Sequence, residues 1–287
     1  AVVGDSDWHH IVITDSTGVN ASDFDIGRFG GSYFDGAIDD VRLFSGVLQS
    51  SDITELAGDA NLVARWSLDA EDIDWSNSSA EIRDSSGAFH GDAANMDASN
   101  VTTGEYDDAL SLNGSNERFT VGDNSALEPS GDMTLSAWIY LDQLNASNTH
   151  FISKSHPSAP WYSYSLYHST DGKLYIAWAD SGGSATYLGT NSTLSTGQWQ
   201  HIAFVRDGDQ GYLYIDGIED RGWTESFTGS IYDSSGDLRV GGAGSDYVPG
   251  DIDEIRIYDR SLSGAEIANL AAGSEPYAIP AITTTDS

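Results

Sequence analysis

Ten residues near the start of the chain recur, without a gap, near its end. Gly27, Gly30, Tyr33, Gly36, Ile38, Asp39, Arg42, Leu48, Ile53 and Leu56 return as Gly241, Gly244, Tyr247, Gly250, Ile252, Asp253, Arg256, Leu262, Ile267 and Leu270, each 214 positions later. A fixed-offset repeat means two copies of one structural unit. The copies are unequal. A long run of strand-like segments precedes the downstream copy, and the upstream copy has little before it. Trp8-His9-His10-Ile11 matches Trp199-Gln200-His201-Ile202 at an offset of only 191, and counterparts of Tyr212 to Gly217 are largely missing. The chain therefore reads as an incomplete module (1–59), a complete one (60–273) and a linker or extended tail (274–287). About three strands cannot close a sandwich, so the upstream remnant is expected to need a cover.

Short alternating segments fill the complete module: Leu135–Ile139, Tyr162–Leu166, Lys173–Trp178, His201–Val205, Tyr212–Ile215, Leu238–Val240 and Ile252–Tyr258. Regular turn signals between them argue for an all-β sandwich over βαβ units. Asp171-Gly172 and Asp216-Gly217 suit tight hairpins, where glycine tolerates a positive φ. One helix is expected from Ser263 to Ala272, with Ser263 and Glu266 forming a capping box and Gly273 ending it.

Charge narrows the classes. Asp and Glu number 45 against 12 Lys and Arg, a net charge of -33, with lysine only at Lys154 and Lys173. Such a surface disfavours nucleic acid and anionic membranes. Eight Trp and fourteen Tyr argue for a folded chain, so acid richness points to a halophilic source, where molar salt shortens the Debye length to ~3 Å. There is no cysteine and no apolar run long enough to cross a membrane as a helix. Asn20, Asn77, Asn100, Asn113, Asn145 and Asn191 each open a glycosylation sequon, which favours an extracellular or cell-surface location.

The ordered fragments resemble a known family. Arg65-Trp66-Ser67-Leu68-Asp69, Asp84-Ser85-Ser86-Gly87, His90-Gly91, Ala109 to Gly114, Thr134 to Ile139, Gly197 to Ala203, Leu213 to Gly217 and Gly250 to Tyr258 follow the pattern of laminin-G-like, concanavalin A-like jelly-roll modules. The resemblance implies two antiparallel sheets packed face to face, with loops or a concave face for ligands. It also implies a structural calcium ion, for which Asp69, Asp84 and Asp253 occupy the matching positions. The same fold hosts lectins, adhesion modules and glycosidases, so it does not by itself fix a function.

Glycoside hydrolysis needs paired carboxylates. Enzymes of this superfamily carry a Glu-x-Asp-x-x-Glu arrangement on one strand, and Asp251 to Arg256 lacks both glutamates at that spacing. No catalytic residue is assigned. Trp161, Tyr162, Tyr164 and Tyr167, joined by Tyr175 and Trp178, offer flat faces for sugar stacking. Strand alternation splits them, Trp161, Ser163, Ser165 and Tyr167 to one side and Tyr162, Tyr164, Leu166 and His168 to the other, so one set is expected in the core. The expected function is a non-catalytic extracellular protein for adhesion or assembly, with glycans or cell-surface proteins as partners. Two alternatives stand beside it. One is a filament subunit adding strands head-to-tail to copies of itself. The other is the carbohydrate-binding part of a secreted glycoside hydrolase.

Overall fold

A computed structural model describes residues 61–155 and 162–273, together with the short strands β1 (Arg28–Phe29) and β2 (Ser32–Tyr33). The chain divides into two units, Ala1–Ala60 with Ile279–Ser287, and Asn61–Ala278. Apart from the β1–β2 pair, the upstream module and the tail lie outside the described residues. So does the head-to-tail assembly built on them.

The second unit is a sandwich. One sheet has seven strands in the order β12 (Ala185–Thr193), β11 (Lys173–Ala179), β10 (Tyr162–His168), β9 (Thr149–Ser155), β16 (Leu238–Val240), β7 (Arg118–Val121) and β4 (Asp92–Ala94). The other has eight. Its order is β15 (Ile218–Glu219), β14 (Gln210–Ile215), β13 (Trp199–Asp207), β8 (Met133–Leu141), β19 (Pro249–Tyr258), β6 (Asp108–Asn113) and β5 (Val101–Thr103). The eighth, β3 (Leu62–Trp66), pairs with Ile255–Tyr258 of β19, on the edge where β6 pairs with Pro249–Ile252. All pairings are antiparallel, as the alternating segments predict.

A small hairpin, β17 (Gly242–Ala243) with β18 (Asp246–Tyr247), gives the repeat a physical form. Gly242 faces Tyr247 and Ala243 faces Asp246; in the upstream copy Arg28 faces Tyr33 and Phe29 faces Ser32. Each pair lies 214 residues from its counterpart, so the two copies share one hairpin in one register. Gly244 turns this hairpin at φ 62°, a conformation that costs most other residues strain.

Alternation sets the core. From β8, Met133, Leu135, Ala137, Ile139 and Leu141 point inward, against Leu174, Ile176 and Trp178 of β11 and Phe119, Val121, Leu238 and Val240 of β7 and β16. A second cluster lies on the outer face of the eight-stranded sheet. There Leu262, Ile267 and Leu270 pack on Ala203, Val205, Tyr214 and Tyr258. Ile267 and Leu270 belong to α1 (Gly264–Leu270), which begins at the expected capping box: Glu266 N donates to Ser263 Oγ and Ser263 N to Glu266 Oε2. On the seven-stranded sheet the middle of the outer side is shielded as well, with Ser153, Ser165 and Ala177 buried.

Candidate functional site: an aromatic sheet face

The outer side of the seven-stranded sheet carries a row of rings. His150 on β9 stacks on Tyr167 of β10 with centroids 5.2 Å apart, and Tyr167 on Tyr175 of β11 at 5.7 Å. Tyr175 continues to Trp223 at 6.1 Å. The pairing register puts the first three on neighbouring strands, Tyr167 opposite both His150 and Tyr175. Gly189 lies opposite Tyr175 on β12, and a side chain there would come within 2.6 Å of the Tyr175 ring and 3.0 Å of Trp223. The glycine leaves the seat that both rings occupy.

The loop carrying Trp223 is tied down over β12. Asp220 accepts from the backbone N–H of Asn191 and of Ser192, and Gly222 N donates to Gly189 O at 2.6 Å. Trp223 is 39% exposed and Tyr187, two residues before Gly189, is 45% exposed, so the row ends in open aromatic surface. The Tyr187 hydroxyl meets that of Tyr162 at 2.7 Å. Burial raises the pKa of Tyr162 and Tyr167, so both remain neutral hydrogen-bonding groups. His150 Nδ1 is 2.6 Å from Ser165 Oγ, and burial depresses its pKa to about 4, so the ring is neutral at ordinary pH.

The expected ligand set Trp161, Tyr162, Tyr164 and Tyr167 therefore separates. Tyr162 and Tyr167 lie on the outer side of the sheet, where Tyr167 is buried between His150 and Tyr175. Tyr164 does not: it is fully buried in the core and its hydroxyl donates to Leu127 O. Trp161 lies outside the described residues. The register shift between Tyr162 and Tyr164 frees Tyr162 from the strict alternation that groups it with Tyr164. It also leaves Ser163 buried and donating to Glu128. Trp178 belongs to the core, with the Arg206 guanidinium 4.8 Å above its ring.

Acidic residues gather on the other sheet, at a bulge in β19. Glu254 there has φ 47°, and its carboxylate binds Arg65 at 2.8 Å and Arg256 at 3.0 Å, which hold its pKa low. Its neighbour Asp253 is fully buried. One oxygen, Oδ2, accepts from Tyr106 N at 3.1 Å, and Oδ1 has no partner. Burial, with Glu254 and Asp69 nearby, raises the Asp253 pKa to about 7. The β5–β6 connection links the two aspartates, with Tyr106 N donating to Asp253 and Asp108 N, at the start of β6, donating to Asp69 Oδ1. An orphaned, desolvated carboxylate oxygen beside a second carboxylate fits a hard cation. Asp84 does not fit. It is fully buried and takes backbone N–H bonds from Arg65, Ser86, Ala88 and Phe89, the bonding of a turn organiser. Among the described residues no three His, Asp or Glu side chains, Asp69, Asp84 and Asp253 included, stand together as a metal group.

Asn77, Asn113 and Asn191 are exposed and Asn145 half-buried. Asn100 is buried, its amide donating to Ser111 O, which leaves no room for a glycan and corrects that expectation. Asn20 lies outside the described residues.

Residues 113–268 match the family model of the concanavalin A-like lectin/glucanase superfamily, in its laminin-G branch. The chain belongs to this superfamily. No curated protein sequence matches it. Among solved structures it is similar to the binding domain of Paraclostridial Mosquitocidal Protein 1, at 20% identity and a TM-score of 0.57, covering 74% of this chain and 52% of that one. Domain 4 of AbnA, an extracellular arabinanase from Geobacillus stearothermophilus solved with arabinotriose, gives 23% identity and 0.55, covering 74% and 98%. Trypanosoma rangeli sialidase gives 16% and 0.54, covering 74% and 32%. The chain spans about half the length of the first of these. At such identities the likeness is one of fold.

Within this concanavalin A-like sandwich, sequence reasoning singles out β10 and underrates its neighbours. Tyr187 and Trp223 draw no attention because nothing local in the sequence places a loop tryptophan beside Tyr175. His150 likewise depends on register. The usable signal is Gly189, a glycine inside an otherwise strand-like run, which marks a close approach.

Proposed function

We propose that this module is a non-catalytic glycan-binding domain of an extracellular protein, with its ligand on the outer face of the seven-stranded sheet. The row His150–Tyr167–Tyr175–Trp223, open at Trp223 and Tyr187, carries the reading. Flat rings suit the C–H faces of sugars, and the hydroxyls of Tyr162, Tyr187 and Tyr175 supply the polar contacts that orient one. The superfamily and the arabinotriose-bound AbnA domain support the same class of ligand. Catalysis finds no support at Asp253 and Glu254: the first is buried away from solvent and the second is spent on two arginines.

Binding to a glycan array, followed by titration of the best ligand, tests the proposal. Tyr175→Ala and Tyr187→Ala should each weaken binding about tenfold, the effect of ~1.4 kcal/mol. Trp199→Phe, on the opposite sheet, should leave it unchanged. Silence across the array, or equal affinity in all three variants, would remove the reading.

A calcium ion at the β19 bulge is proposed as structural support. Asp253 and Asp69 would hold it with loop carbonyls and water, and it would neutralise the crowded carboxylates there. Calcium titration of the melting temperature tests it.

A further inference from the structure

We infer that the module has a second binding site on the opposite sheet, a recess beside the end of α1 that takes a single neutral sugar ring. It stands apart from the stacked rings and does not depend on them. Leu135, Ala137 and Ile139 of β8 point into the core, so Ser136 and Trp138 between them point outward. Register sets His201 of β13 opposite Trp138 and the small Ala203 opposite Ser136. Arg256 of β19 flanks Ser136 on its other side. Leu270 of α1, Tyr106 of the β5–β6 connection, and Arg65 with Glu254 form the walls of a cavity of about 200 Å³ over this floor.

The rings here are set differently from those on the seven-stranded sheet. Trp138 meets Tyr106 at 73° and His201 at 64°, whereas the stacked pairs on the other sheet lie at 26° and 27°. Stacked rings make a platform along which a chain can lie. Rings at steep angles make the corner of a recess, which receives an end. The volume is below the ~300–1,000 Å³ of pockets for drug-sized ligands and equals roughly six or seven waters. A single sugar ring is of that size.

His201 is the residue that calls for a ligand. Its side chain is 2% exposed, and among the described residues no group hydrogen-bonds either ring nitrogen. Nδ1 is shielded, which leaves Nε2 as the nitrogen within a ligand's reach. A buried imidazole without a partner costs stability that a phenylalanine ring in its place would not. The sequence nevertheless carries the set twice, since His10, Asp40, Arg42 and Leu56 in the upstream copy answer His201, Glu254, Arg256 and Leu270. Charge in the walls is already matched. The Glu254 carboxylate binds Arg65 at 2.8 Å and Arg256 at 3.0 Å, burial and Arg256 keep the His201 ring neutral, and Asp107 stands exposed at the rim. The recess thus offers a hydroxyl, a neutral imidazole and aromatic walls. Sugar hydroxyls, which donate and accept at once, suit the first two, and sugar C–H faces suit the third.

Ligand-observed NMR titration of the full chain with methyl glycosides of single neutral sugars tests the site, beside glucosamine and glucuronic acid as charged rings of the same size. At least one neutral glycoside should bind, and more tightly than either charged ring. His201→Phe should weaken that binding about tenfold while Tyr175→Ala and Tyr187→Ala leave it unchanged. Near-UV circular dichroism checks the fold, and Ser136→Val, which removes the hydroxyl and narrows the floor, serves if His201→Phe unfolds. No binding by any neutral glycoside, tighter binding of a charged ring, or binding indifferent to both substitutions would overturn the inference. Binding lost in Tyr175→Ala and kept in His201→Phe would overturn it too and leave the sheet-face reading standing. Binding that needs His201, with array ligands indifferent to Tyr175 and Tyr187, would keep the recess and remove the sheet face.

Discussion

Asp253 is a buried acid with one oxygen unpartnered, and its carboxyl is pushed up to about 7 from an ordinary 3.8. Between those values the folded chain binds a proton that the unfolded chain has released, so this residue makes stability fall as pH rises towards 7. The histidines act in the opposite sense. His150, held near 4, and His201, held near 3 by burial and Arg256, stay neutral where an unfolded imidazole near 6.5 gains a proton. Their contribution is complete above 6.5 and drains away as pH falls. Comparison with Asp253→Asn isolates the acid. In chelator, wild type should lose melting temperature relative to the variant from about pH 4 to 7 and then hold a constant gap. Calcium should close that gap at pH 7.5. A gap independent of pH, or unmoved by calcium, would contradict the assignment.

The elements show which parts of the fold the sequence makes readable. The capping box of α1, the Asp-Gly turns and the alternation of β8 are local patterns, and each appears where expected: Asp216 and Gly217 take φ 51° and 77°. The bulges are not local. Register shifts between Tyr162 and Tyr164, and between Asp253 and Arg256, are set by neighbouring strands, and both alter the candidate sites. Lys154 is also illegible from composition. It is buried, with Asp123 at 2.6 Å and Glu128 at 3.3 Å, and ties β9 to the chain before β16. Gly250 explains one repeated glycine. It sits at φ 143°, and a Cβ there would fall 2.0 Å from Tyr140 O on β8. Gly250→Ala should push β19 off β8 and cost on the order of 3 kcal/mol or more in denaturant unfolding. A loss under ~1 kcal/mol would show that the strand pair can relax.

At the scale of the molecule, the two sheets have divided their outer faces between different tasks. The eight-stranded sheet is covered by α1 and carries the acidic bulge, both features that hold the module together. The seven-stranded sheet carries the stacked rings, which open to solvent at Trp223 and Tyr187. Hydrogen–deuterium exchange of the full chain, with and without its tightest-binding glycan, reads that division directly. Protection is expected in Thr149–Ser155, Tyr162–His168, Lys173–Ala179 and Ala185–Thr193. Protection confined to Val101–Asn113 and Pro249–Tyr258, around the acidic bulge, would contradict the account.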